Sequence, residues 1–175
     1  MSVACPTCGF DGSSLSPADA AVALRSFPRR FRSVLVRPPA QDGDDPVTRR
    51  GSAGRSAMEH AEWAAATIEE IDHQLQQVLV HDQPEVTAPA IETPFPPAGV
   101  TAPGGPVAVL ERVTAAATAL AATVEGASGR QWSRTAAPAG GATVTALDLV
   151  RLAVHQGVHH LKAAEQVLAE VVGRP

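Results

Sequence analysis

Thr145–Val172, TALDLVRLAVHQGVHHLKAAEQVLAEVV, decides the fold. Leu147, Val150, Val154, Val158, Leu161, Ala164 and Leu168 recur at helical spacing and form one apolar stripe. Thr145 suits an N-cap, Asp148 stands three residues on as in a capping box, and Gly173 and Pro175 follow the last apolar residues. His155 and His159 are four residues apart, so they project from one face, one turn apart, at the edge of the stripe. That is the reach two imidazoles need to grip one metal ion. His160 points about 100° away from His159 and reads as a supporting or surface residue.

Three further helices precede it. The first has Ser16 as N-cap, Pro17 at the first helical position and Asp19 as the acid of the first turn. Its stripe is Ala20, Leu24, Phe27, Phe31 and Leu35, and Pro28 predicts a kink or a split. The second runs from Ser56 to Leu79 with His60, Ala64, Thr67, Ile71, Leu75 and Val78 facing inward. Glu59, Glu69, Glu70 and Asp72 mark its charged face, Trp63 can wall the region around His60, and His73 and His81 fall on its surface. The third spans Val107–Glu125 and buries Val109, Leu110, Val113, Ala117, Leu120 and Val124.

The connections are unequal. Residues 37–54 are rich in Pro, Gly and Asp and read as a loop. Residues 81–106 are Pro-rich and too long for a tight hairpin. Such a crossover returns the chain to the opposite end of a bundle, making helices 2 and 3 parallel, and can cover a site. Residues 126–141 form an irregular link in which Trp132 packs beneath the chain. The expected architecture is all-α: a four-helix bundle over residues 15–175 with a long crossover between helices 2 and 3, behind a short N-terminal CPxCG extension, residues 1–14.

Composition narrows the function classes. Hydrophobic residues make up 45% of the chain and aromatics 3%, with Ala and Leu, good helix formers, prominent. The net charge of −4 argues against nucleic-acid binding. Arg25, Arg29, Arg30, Arg32, Arg37, Arg49, Arg50 and Arg55 make the first third locally basic, but no aromatics interleave for base stacking, so they read as a solvated face. The N-terminus lacks the pattern of a signal peptide, and no apolar run is expected to span a membrane. Two cysteines do not make a disulfide framework. The expected location is the cytoplasm.

The chemistry-bearing residues fall in two groups. Cys5-Pro-Thr-Cys8-Gly9 is the turn of a zinc knuckle, but no second CxxC follows, so it is half a site. It can be completed by a borrowed His or across a dimer, it can be a redox pair, or it can be a turn with two reduced thiols. His60, on an apolar face, needs a partner for its ring nitrogens. A carbonyl or hydroxyl is the usual one, and a metal shared with His155 and His159 competes if helices 2 and 4 are neighbours. Three imidazoles with one open position describe a catalytic type of site that zinc, nickel or iron would accept. Asp148, Glu59 and Gln156 are candidate acceptors behind the ligands.

His60 in SAMEHAEWA near the start of helix 2, with VHQGVHHLKAAEQVL closing helix 4, resembles the DinB-like superfamily, which includes the mycothiol-dependent maleylpyruvate isomerases and bacillithiol transferase relatives. The likeness covers Leu15 to Val172. It implies a four-helix bundle in which His60, His155 and His159 bind a divalent metal, often zinc or nickel, and it implies homodimers. It further implies a thiol-dependent S-transferase or isomerase, with mycothiol as co-substrate and a small electrophile as the partner; the alternative is a non-enzymatic metal-binding helical module that acts as a sensor or interaction protein. The CPTCGFDG leader departs from that family pattern and leaves Cys5 and Cys8 as a possible second, structural metal pair.

Overall fold

The computed structural model describes residues 4–37, 45–86, 104–138 and 142–173. Four helices carry the fold: α1 (Pro17–Leu35), α2 (Ala57–Val80), α3 (Gly105–Gly126) and α4 (Ala146–Val171). Ser16, Ser56 and Thr145 each close a capping box, with Asp19, Glu59 and Asp148 returning a carboxylate to the cap backbone. These boxes satisfy N–H groups that a helix start leaves without intrahelical partners.

Helices α2 and α4 pack together, as do α1 and α3, α2 and α3, and α1 and α4, so α1 and α2 sit across the bundle from each other. Directions follow from the contacts. The chain after α2 forms β1 (Glu85–Val86), which pairs in parallel with β2 (Thr135–Pro138), the strand after α3. The Arg134 side chain also donates to the Val78 carbonyl at 2.8 Å. The C-terminal ends of α2 and α3 therefore share one end of the bundle, and the two helices run parallel, as the long crossover predicts. β3 (Val144–Thr145) pairs antiparallel with β2 and launches α4 from that same end. The start of α2 thus meets the second half of α4, which brings His60 near the histidines.

The core is built from Leu24, Phe27, Phe31, Ile68, Leu75, Leu120, Leu149 and Leu161, all fully buried. Phe27 lies against the backbone of Gly157, where a Cβ would collide with the ring. Glycine, a poor helix former, is present there because α1 and α4 approach too closely for any side chain.

Several expectations are corrected. α1 runs unbroken through Pro28; Phe27 and Phe31, buried on either side of it, hold the helix together despite the missing N–H. Residues 126–141 hold a 3₁₀ turn (Gly129–Ser133) and β2, elements whose short runs give no periodic signal. Glu59 and Asp72 are buried rather than on a charged outer face, at 6% and 8% exposure, with Glu59 paired to Arg50 at 2.9 Å. Gly105–Gly126 is also long and apolar enough, by length and composition, to cross a membrane, at mean hydropathy 1.5. Its Val109, Leu110, Val113, Leu120 and Val124 are spent on the bundle core.

Candidate metal centre

The N-terminal segment lies along α4. Cys5 N–H donates to the Phe10 carbonyl at 2.9 Å and Gly9 N–H to the Cys5 carbonyl at 2.7 Å, closing the CPTCG turn. Gly9 takes φ +69°, the left-handed conformation that favours glycine. Arg151 donates to the Leu15 carbonyl at 3.2 Å and the Ser13 carbonyl at 2.9 Å. Lys162, the chain's single lysine, donates to the Cys8 carbonyl at 2.6 Å. Phe10 stacks on the His155 ring with centroids 5.6 Å apart and planes 14° apart.

These ties set the turn over the histidine pair. Cys5, Cys8, His155 and His159 each offer a ligand atom, and the four atoms all lie within 4.8 Å of one another. Cys5 Sγ is 3.7 Å from His159 Nδ1. Tetrahedral zinc, with Zn–S of about 2.3 Å and Zn–N of about 2.0 Å, sets its donors roughly 3.3–3.8 Å apart. The cluster is thus one small contraction from a closed Cys₂His₂ shell. Cys8 is buried and Cys5, His155 and His159 are half-buried. His155 Nε2 is buried and makes no hydrogen bond among the described residues. A buried ring nitrogen without a partner is costly, and a metal ion would satisfy it.

The two thiols differ. Desolvation pushes Cys5 up, but the Cys8 backbone N–H, the His155 and His159 rings and the Thr7 backbone outweigh it and lower its pKa to about 5. Cys8 is raised: desolvation dominates, the Phe10 backbone offsets it in part, and the neighbouring Cys5 adds to the rise. A thiolate beside imidazoles is the form that binds metal.

On the inner side of α4 two further histidines meet. His60 Nδ1 faces His160 Nδ1 at 3.3 Å. His60 is 8% exposed and His160 3%, so of the two roles expected for His160, supporting or surface, burial excludes the surface one. Desolvation, the nearby His159 and Arg55 push His60 down to about 4, against a small opposing pull from Glu59. Desolvation, with His60, His159 and His155 close by, pushes His160 down to about 2. At neutral pH both rings are uncharged, and one donates to the other.

The structure therefore gathers Cys5, Cys8, His155 and His159, and stands His60 beside His160 just beneath them. The sequence reading left His160 between a supporting and a surface role because its stripe passed through Leu147 and Val158, both half-buried. The buried face keeps Val150, Val154, Leu161, Ala164 and Leu168 of that stripe and widens to take in Ala153, Gly157 and His160. Gly157, small and three residues before His160, was the available signal of close helix packing. Asp148, a candidate acceptor in the sequence, serves the α4 cap, accepting from Thr145 Oγ1 at 2.7 Å.

No family model matches the sequence, and no curated protein matches it. Among solved structures, the chain is similar to YfiT from Bacillus subtilis at TM-score 0.69 and 13% identity, over 93% of this chain and 91% of that one. YfiT is described as "a probable metal-dependent hydrolase with an unusual four-helix bundle topology". At that identity the likeness shows the fold alone, a four-helix bundle.

Proposed function

We propose that this protein is a metal-binding helical module in which Cys5, Cys8, His155 and His159 hold one zinc ion. The convergence of these four ligand atoms carries the reading. Two thiolates and two imidazoles suit zinc better than nickel or iron, because soft sulfur donors in a tetrahedral set select it. Four protein ligands leave no position for water or substrate, so the ion serves cohesion and sensing: it fastens the N-terminal turn to the middle of α4. Metal analysis of the purified chain tests this, with one zinc per chain expected and none in Cys8→Ser.

A second reading is enzymatic, and the nearness of the buried His60 to His159, across the His160 ring, favours it. There His60, His155 and His159 would hold zinc, nickel or iron, and a bound ion would favour ionisation of a small thiol such as mycothiol. The bundle would orient that thiol toward a small electrophile, as an S-transferase or isomerase of the DinB-like kind. The hydrolase description of YfiT supports metal-dependent chemistry on this fold in general terms. The cytoplasm and a homodimer belong to the same proposal. Thiol-dependent turnover of a panel of electrophiles that persists in Cys5→Ser and vanishes in His60→Ala would establish this reading over the first.

A further inference from the structure

Resting on the Cys₂His₂ reading, we propose that the centre is a peroxide-sensitive latch: oxidation joins Cys5 to Cys8, expels the metal and frees the N-terminal segment from α4. The two sulfurs belong to one short turn and already lie within 4.8 Å of each other. A disulfide needs about 2.0 Å between sulfurs, so closing the bond draws on the turn alone and leaves the helices in place.

Exposure sets the order of events. Cys8 is 3% exposed, whereas Cys5 is half-buried and flanked by the exposed Pro6 and Thr7. Peroxide therefore reaches Cys5 first and Cys8 resolves. Cys5 thiolate attacks one peroxide oxygen, the O–O bond breaks, and Cys5 sulfenic acid and hydroxide form. Cys8 thiolate then attacks the Cys5 sulfur, the S–S bond forms, the S–O bond breaks, and a second hydroxide leaves. Both hydroxides are neutralised to water by protons from the buffer, the equivalent of those the two thiols gave up on ionising. The sulfurs lose two electrons to the peroxide, and the metal leaves as the divalent ion with its charge unchanged. Two imidazoles alone do not make a tetrahedral shell.

Losing the sulfur ligands loosens the whole strap. The Phe10 stack on His155 and the Lys162 bond to the Cys8 carbonyl both depend on where this turn sits. The Arg151 bonds to Ser13 and Leu15 lie beyond it. The bundle core contains neither cysteine, so it survives release.

The test uses the zinc-loaded full chain titrated with hydrogen peroxide. Zinc release is followed with a chromophoric chelator, thiols by Ellman's reagent, chain mass by mass spectrometry, and residues 4–14 by hydrogen–deuterium exchange. The expected result is parallel loss of zinc and both thiols and a mass lower by two hydrogen atoms. Exchange should become faster in residues 4–14 alone, and dithiothreitol with added zinc should reverse all of it. In Cys8→Ser, dimedone should trap Cys5 as the sulfenic acid. Zinc retained through peroxide excess, or disulfides formed only between chains, would overturn the latch and leave the metal site standing. A chain that never takes up zinc would overturn both.

Discussion

Cys5 Sγ lies 3.7 Å from His159 Nδ1, although 154 positions separate the two residues. The contact ties the first turn of the chain to the third quarter of its last helix. It gives the half-site of the CPTCG turn the histidines it lacks.

His60 is the residue that separates the two ligand sets. His60→Ala should retain full zinc content, because its ring faces His160 and the four ligands of the proposed centre do not include it. Zinc quantification on desalted protein checks this. Loss of the ion in that variant alone would favour the three-histidine set.

Gly157 should tolerate no side chain. Gly157→Ala places a Cβ into the Phe27 ring, and overpacking of this kind costs about 1–3 kcal/mol. Urea unfolding reads the loss. The double variant with Phe27→Leu should recover part of it, since the leucine vacates the space the methyl needs.

The α4 cap makes a pH prediction. Thr145 donates to Asp148 through its hydroxyl at 2.7 Å and its backbone N–H at 3.0 Å. Burial raises the Asp148 carboxyl, but those donors, with Arg151, hold it below the usual carboxylate range. A depressed carboxyl binds fewer protons folded than unfolded. Its contribution is therefore present above the unfolded value of about 3.9 and is lost as pH falls through the lower folded value. Thr145→Ala should cost about 1 kcal/mol at neutral pH. The gap to wild type should narrow as the medium is acidified below about pH 3.9.

Lys162→Met keeps the aliphatic stem and removes the donor to the Cys8 carbonyl. A hydrogen bond from a charged group contributes about 1.5–3 kcal/mol, felt here by the strap. Amide exchange should quicken in residues 4–10 while the exchange of α2 and α3 stays unchanged.

Much of this was legible in the sequence because helices announce themselves. The stripes of α1 and α3 and the caps Ser16 and Thr145 sit where periodicity and capping chemistry put them. The parallel pairing of α2 and α3 followed from the length of residues 81–106, of which 87–103 lie outside the described residues. His155 and His159 were visible as a pair, and so were Cys5 and Cys8. What joins the pairs was not visible. It depends on a strap held by Phe10, Arg151 and Lys162, three side chains with no periodic pattern. The burial of His160 depends on a rotation of α4 set by Gly157 against Phe27, and a helical stripe defines its facing only to within a residue.

The central claim is the ligand set, and cobalt substitution tests it most directly. The full chain is stripped of metal, titrated with cobalt(II), and its visible and near-ultraviolet absorption recorded beside that of Cys5→Ser, Cys8→Ser, His155→Ala and His159→Ala. The account predicts one cobalt per chain with intense tetrahedral bands and thiolate charge transfer in wild type, and loss of tight binding in every variant. Charge-transfer bands absent from wild type, with unchanged binding in both cysteine variants, would contradict it.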